Sequence, residues 1–161
     1  MLDSYLAQSI EEVYQLIGDR GMSFYYVPYI EHKFVDSQDY LDYDYEGRIP
    51  IHATLNSNLA SDADLEFAHQ YLKNTRNSGT IQFTRRSIYP NEVRPLDRIH
   101  IEYCDGRTED YLIVGIDDGV LLQGIYISVR VFRFDGMFTN FQWANNGVVQ
   151  DDLKDTVSGN W

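Results

Sequence analysis

The sequence has few of the residues that cross-link a protein or anchor it in a membrane. Its single cysteine, Cys104, excludes an intrachain disulfide framework and a zinc site made of several cysteines. No apolar run approaches the roughly 20 residues that cross a bilayer. The first residues lack the basic and apolar regions of a signal peptide, so we expect neither a membrane span nor a secretory leader.

Basic residues are also scarce. The chain has 13 lysines and arginines against 25 aspartates and glutamates, which leaves a formal net charge of -12. Contacts to nucleic-acid phosphates and anionic lipids come mainly from Lys and Arg. We therefore expect no sequence-specific nucleic-acid binding and no docking on membranes, although an acidic channel could let DNA slide through without holding it.

A run of antiparallel strands is the clearest structural signal, and it occupies residues 94–134. Apolar and polar residues alternate over Ile99–Tyr103, which is the period of a strand with one apolar and one polar face. Asp105-Gly106 and Asp117-Asp118-Gly119 supply the chemistry of tight turns, and residues 111–116 form a predicted strand between them. The pattern predicts a β-meander or a small antiparallel β-barrel.

Two helices are predicted before this run. Apolar residues at spacings of three and four indicate an N-terminal amphipathic helix over residues 3–17. Ser61 is the predicted N-cap of a second helix over residues 62–73, with Phe67 and Tyr71 one turn apart. Asn77-Ser78-Gly79 is the predicted stop of this second helix.

Further strands are predicted at Ser23–Val27, at residues 49–55 and at residues 80–87. No internal repeat or low-complexity linker divides the chain. We therefore expect one domain over residues 1–161, of the α+β class and mainly β, with a polar C-terminal tail from about residue 145.

Two aromatic stretches are candidates for contacts between subunits. Asp39–Glu46 alternates acids with tyrosine or leucine, which suits a hairpin or an extended loop that pairs with a neighbour. The alternative is that these tyrosines are partly buried within their own chain. A second aromatic stretch follows residue 136. The candidate subunit-interface residues are Tyr40, Tyr43, Tyr45, Phe138, Phe141 and Trp143.

Four arginines form the one basic cluster of the sequence. They could meet an acidic patch on a partner, or they could form ion pairs within this acidic chain. The candidate partner-binding residues are Arg85, Arg86, Arg94 and Arg98.

No motif nominates a catalytic or metal site. The four histidines lack the spacing of metal ligands. The acidic stretch from Asp42 resembles a calcium loop, but Ala53 stands where that loop needs a bidentate acid. Acids around Cys104 disfavour its thiolate form. Nucleotide-binding and nucleophile motifs are absent. We expect no enzymatic activity, no metal and no cofactor.

One family resemblance covers about a third of the chain. A strand with arginines (residues 80–86) leads through Pro90–Pro95 to Leu96–Ile101, which begins with an Asp-Arg pair. Asp105-Gly106-Arg107 and Tyr111–Ile116 follow. This order resembles the core of the head-closure, or stopper, proteins in the neck of long-tailed bacteriophages. The first half of the chain and the stretch after Phe134 depart from that pattern.

The resemblance implies a virion protein without catalytic residues, made in the host cytoplasm. It would form a homo-oligomeric ring of about six subunits between the portal or adaptor proteins and the tail-tube proteins. A tail terminator of the same neck is an alternative. An acidic binding or immunity-type module that neutralises a basic partner is another, and an enzyme built on scattered carboxylates and histidines ranks last.

Overall fold

The computed structural model describes residues 21–36, 38–118, 125–134 and 141–149. The predicted α+β, mainly β, fold class is confirmed. The predicted helix over residues 3–17 lies outside the described residues. The described elements are β1 (Met22–Val27), β2 (Tyr29–Val35), β3 (Gln38–Tyr43), β4 (Ile49–Ile51), β5 (Ala53–Ser57), α1 (Asp62–His69), β6 (Ser78–Thr84), a 3-10 helix (Arg85–Ile88), β7 (Arg98–Tyr103), β8 (Thr108–Asp118), β9 (Tyr126–Arg133), β10 (Phe141–Asn145) and β11 (Val148–Val149).

The larger sheet has seven strands in the order β4-β1-β7-β8-β9-β6-β5, with every neighbouring pair antiparallel. Its two edge strands, β4 and β5, are consecutive in the chain and only His52 separates them. Two residues span at most about 7 Å, so the sheet curls until its edges meet at His52. This corrects the prediction of one strand over residues 49–55, because the two halves of that segment pair with opposite edges.

The predicted meander is confirmed as β7, β8 and β9, which pair in sequence order. Strand β8 is longer than expected. It continues through Asp117 and Asp118, which pair with Ser128 and Ile127 of β9, so these acids do not form the predicted turn. The pairing register shifts between Ile113 and Gly115, which marks a β-bulge in the long strand.

The interior of the curled sheet is the first hydrophobic core. Side chains alternate across each strand, so every strand of the sheet sends residues inward. The fully buried members include Tyr26, Ile81, Phe83, Ile99, Ile101, Ile113 and Val129.

The smaller sheet has the order β11-β10-β3-β2. Strands β2 and β3 form an antiparallel hairpin, so most of the acid-tyrosine stretch belongs to a hairpin rather than to an extended loop. Strand β10 pairs parallel to β3, and Asn145 lies opposite Tyr43. A turn at Asn146-Gly147, with positive φ at both residues, leads into β11. The predicted polar tail therefore begins with a short hairpin.

A second hydrophobic core lies between the smaller sheet, α1 and the outer face of the meander. It contains Val27, Leu41, Tyr43, Ala68, Leu72, Leu112 and Phe132. Both faces of the meander are therefore covered, because Ile113 points into the first core while Leu112 points into the second. The predicted apolar and polar faces of β7 are present, with Ile99 and Ile101 in the first core, but the second layer buries Arg98 and His100 on the polar face.

Helix α1 begins as predicted, since the Ser61 hydroxyl accepts a hydrogen bond from the Asp64 amide at 3.2 Å. The Phe67 and Tyr71 rings lie 5.6 Å apart, as expected. The helix ends at His69, earlier than predicted, although Leu72 still reaches the core. The predicted stop is wrong, because Ser78 and Gly79 belong to β6.

An arginine joins α1 to the meander across a glycine. Arg130 donates from Nε to Asp64 at 2.8 Å and from Nη1 to Asp117 at 2.5 Å. A Cβ atom on Gly115 would lie 2.0 Å from Arg130 Nη2. The guanidinium therefore lies where only a glycine leaves room for it on β8.

We predict that Gly115→Ala displaces this guanidinium and lowers the free energy of unfolding by about 1.5–3 kcal/mol, the typical contribution of hydrogen bonds to charged groups. Chemical denaturation of both single variants and the double variant measures the coupling. In an Arg130→Ala background, Gly115→Ala should lower the free energy of unfolding by much less than it does in the unchanged protein. Equal costs in the two backgrounds would contradict the proposed close packing.

Candidate functional site

A buried charged cluster lies between the two sheets, and we call Arg98, His100, Asp110 and Asn145 the Arg98 network. Arg98 is 1% exposed. It donates from Nε to Asp110 Oδ1 at 2.7 Å and from Nη1 to Asn145 Oδ1 at 2.7 Å. His100 Nδ1 lies 2.8 Å from the same Asp110 oxygen. The network therefore connects β7 and β8 of the larger sheet to β10 of the smaller one.

The register of the β7–β8 hairpin positions these side chains. His100 lies directly opposite Asp110, and Arg98 is two residues away on the same face of β7. Gly106 turns the chain with φ of +89°, a conformation that glycine adopts without strain. The turn therefore determines that one carboxylate serves both basic side chains.

Three aromatic rings surround the Arg98 guanidinium. The ring centroids of Tyr43, Tyr45 and Trp143 lie 5.4, 5.5 and 5.4 Å from its central carbon. Cations over aromatic faces at such distances are stabilised by the ring quadrupole, more so where water is excluded. Three of the six aromatic residues proposed for subunit contacts thus enclose a charge within their own chain.

The electrostatics of the network favour an ionised Asp110. Burial by itself raises the pKa of this carboxyl group. The hydrogen bond from His100 and the charge of Arg98 outweigh burial, so the pKa of Asp110 lies below its ordinary value. Asp110 is therefore the counter-ion that allows Arg98 to be buried.

The residue before Arg98 is a second buried anchor. Asp97 is 0% exposed and accepts hydrogen bonds from the Tyr26 hydroxyl, the Tyr29 amide at 2.8 Å and the Arg94 amide at 2.9 Å. Burial raises the pKa of Asp97, and burial next to this carboxylate also raises the pKa of Tyr26. Just before β7, Asp97 thus holds the corner between β1 and β2 in place through these hydrogen bonds. The next residue, Arg98, contacts the smaller sheet through Asn145.

The His100–Asp110 pair has the groups of a proton-transfer site, but it is closed. His100 Nε2 lies 3.3 Å from Glu102 Oε1 and 3.4 Å from the Tyr45 hydroxyl. The His100 side chain is only 7% exposed, which leaves little room for a reacting group. Within the described ranges, no three His, Cys, Asp or Glu residues converge as metal ligands. The geometry fits a structural role.

The predicted interface aromatics have different positions. Tyr43 is 0% exposed and has no surface to offer a partner, which corrects its assignment to an interface. Tyr40 and Tyr45 are half-buried, so an interface role for them stays a prediction. Trp143 is half-buried against Phe134, with ring centroids 4.8 Å apart. Phe138 and the Phe141 side chain lie outside the described residues.

The four predicted partner-binding arginines are not one patch. Arg98 forms the internal ion pair that was the alternative for this cluster, so its assignment to a partner is corrected. The Arg94 side chain is 58% exposed and donates to the Tyr29 carbonyl at 2.7 Å. Arg85 and Arg86 lie on the 3-10 helix, beyond the end of β6, rather than on the predicted strand. A partner role for these three residues stays a prediction.

Asp110 and Asn145 are the members of the network that sequence reasoning missed. Counting outward from the Asp105-Gly106 turn along both strands places Asp110 opposite His100. The turn motif in the sequence could therefore have identified Asp110 as the partner of His100. No local signal exists for Asn145, because its position follows from the parallel pairing of β10 with β3.

The smaller sheet also carries exposed apolar residues at both edges. On the edge strand β2, Ile30 is 47% exposed and Phe34 is 68% exposed. On β11, Val148 and Val149 are 66% and 42% exposed. Among the described residues, no helix has the length and apolar character to cross a bilayer.

Comparisons with protein-family models, curated proteins and solved structures found no match to this chain.

We predict that Asp110→Asn lowers the free energy of unfolding by about 3 kcal/mol near pH 7, because it leaves Arg98 buried without a counter-ion. The folded-state pKa of Asp110 is depressed, so its contribution is present above the ordinary value of 3.8 and is lost as the pH falls below it. Denaturation at about pH 7 and about pH 3 should therefore show a smaller acid sensitivity in the variant.

Asp105→Asn is the matched control, because Asp105 also pairs with an arginine, Arg107, but in an exposed turn. It should leave the unfolding midpoint unchanged. An equal loss in both variants would contradict the special role of the buried pair.

A second prediction concerns Tyr43, whose buried hydroxyl has no hydrogen-bond partner among the described residues. Tyr43→Phe removes this unsatisfied group and keeps the ring over Arg98, so we expect equal stability or a gain of about 1 kcal/mol. Tyr43→Ala should cost about 3–5 kcal/mol, as for other large-to-small core changes. A marked loss in Tyr43→Phe, measured by thermal denaturation, would show that the hydroxyl has a partner.

Proposed function

We propose that this chain is a structural virion protein of the bacteriophage neck, which forms a ring between the portal and the tail through which DNA passes. The motifs from Thr80 to Ile116 support this proposal through their resemblance to head-closure proteins. The observation that carries it is the exposed apolar edge of the smaller sheet. That edge offers a chain-to-chain contact of the kind a ring needs.

Strand β2 is suited to pairing with another chain. It lies at the edge of the described smaller sheet and exposes Ile30 and Phe34. Lysines on edge strands usually oppose such pairing. Here Lys33 Nζ lies 3.4 Å from Glu31 and 3.5 Å from Asp42, so acids of the same hairpin balance its charge. The edge is therefore poorly protected against strand addition.

The opposite edge of the same sheet is apolar as well, through Val148 and Val149 on β11. A contact between two different edges is heterologous, and heterologous contacts generate a ring when the rotation closes. Joining β2 of one subunit to β11 of the next would continue the sheet around such a ring. The net charge of -12 would then make the channel repel DNA rather than hold it.

The proposal is tested by light scattering of the purified protein, with negative-stain imaging of large species. We expect closed rings of about six subunits for the unchanged protein. Phe34→Glu should yield a folded monomer, because Phe34 is mostly exposed and the added charge opposes strand pairing. Tyr89→Glu is the control, since Tyr89 is 84% exposed but lies outside the smaller sheet, and it should retain the ring.

Rings that survive Phe34→Glu would overturn the role of the β2 edge. A stable monomer of the unchanged protein, even when mixed with portal and tail extracts, would overturn the neck proposal. Tight binding of a basic protein would then support the acidic binding module. If rings form, the partner that retains them separates a stopper, which meets the portal side, from a tail terminator, which meets the tail tube.

A further inference from the structure

A surface pocket of about 400 Å³ lies at the end of the curled sheet, and no residue of the Arg98 network lines it. It is formed where β5 ends and β6 begins, next to Tyr111 of β8 and Arg133 of β9. Tyr111 and Arg133 are register partners, and the Arg133 amide donates to the Asn77 carbonyl at 2.9 Å. Four strands thus hold the pocket, whose volume is within the usual range for small ligands.

The pocket is positively charged in a strongly acidic protein. Arg76 and Arg133 line it, and none of the lining residues is an acid. The Arg76 guanidinium forms no ion pair within the described part of the chain. Arg133 Nε lies 3.2 Å from Glu109, but that carboxylate also accepts hydrogen bonds from the Tyr103 and Tyr111 hydroxyls. The charge of Arg133 is therefore only partly balanced, and that of Arg76 has no ion-pair partner among the residues that the structure describes.

The wall of the same pocket is partly apolar. Leu59 lines it and is 100% exposed, so its whole side chain is open to solvent. Leu55 and the Tyr111 ring complete the apolar part. A ligand with an apolar group would gain free energy by covering Leu59, in addition to neutralising the two arginines.

We propose that this pocket binds a carboxylate group joined to a short apolar chain. Guanidinium groups bind carboxylates through paired hydrogen bonds, which gives the arginines their role. The leucines and the tyrosine ring would hold the adjoining carbon chain. Such a group occurs in a free short-chain fatty acid and in a peptide where an acid follows a leucine. The site does not depend on the proposed ring, since all its lining residues belong to one chain.

The first test is calorimetric titration of the full-length protein with hexanoate, acetate and inorganic phosphate. We expect saturable binding of hexanoate. Acetate and phosphate should each bind at least about tenfold more weakly, a difference of 1.4 kcal/mol in binding free energy. Arg76→Gln should weaken hexanoate binding by about tenfold or more. Leu59→Ser should reduce hexanoate binding to the level of acetate and leave acetate binding unchanged.

Arg107→Gln is the matched control, because Arg107 is an exposed arginine in the β7–β8 turn, and it should bind hexanoate as the unchanged protein does. A titration with an acetylated Leu-Asp amide shows whether the bound carboxylate comes from a peptide or from a free fatty acid. Tighter binding than hexanoate assigns the pocket to a protein partner, and weaker binding assigns it to a free acid. The proposal is overturned if hexanoate does not saturate, if Arg76→Gln binds it equally well, or if phosphate is preferred.

Discussion

The burial of one guanidinium constrains how the two sheets of this protein fit together. A charge that leaves water must be matched by an opposite charge and by hydrogen bonds, or the fold is strongly destabilised. Arg98 finds its counter-ion, Asp110, in the larger sheet and its second hydrogen-bond acceptor, Asn145, in the smaller one. A smaller sheet placed elsewhere would leave part of the guanidinium without a partner. The Arg98–Asp110 ion pair therefore specifies how the smaller sheet lies against the larger one, whatever the pair contributes to the free energy of unfolding.

The same requirement explains where the aromatic residues lie. Tyr43, Tyr45 and Trp143 contact the Arg98 guanidinium through their ring faces, so they contribute both apolar area and electrostatic stabilisation. Tyr43 is fully buried by this arrangement, and Tyr45 and Trp143 are half-buried. Among the described residues, the surfaces that we propose for partners are the edge of the smaller sheet at Ile30 and Phe34 and the pocket beside Arg76.

The acidic residues of this protein have two roles, because some are buried and structural while others set the charge of the surface. Asp64, Asp97 and Asp110 are buried, and each accepts hydrogen bonds that hold two elements together. These acids are satisfied and add little to the external field. Most of the other acids that the structure describes are exposed, where they make the protein repel other polyanions. A pocket with two arginines is therefore a local exception, and it would select a carboxylate from the surroundings.

Local features of the sequence determined the meander and the start of α1. The Asp-Gly turn, the alternation over Ile99–Tyr103 and the Ser61 cap each act within a few residues, where hydrogen-bond geometry and side-chain period are decisive. Only the tertiary structure decided that residues 49–55 divide between two sheet edges and that Tyr43 and Arg98 are buried. The division follows from the pairing of β4 with β1 and of β5 with β6, which are distant in the sequence. The burial follows from the smaller sheet, whose strands β3 and β10 pair in parallel and cover a face that local alternation marks as polar.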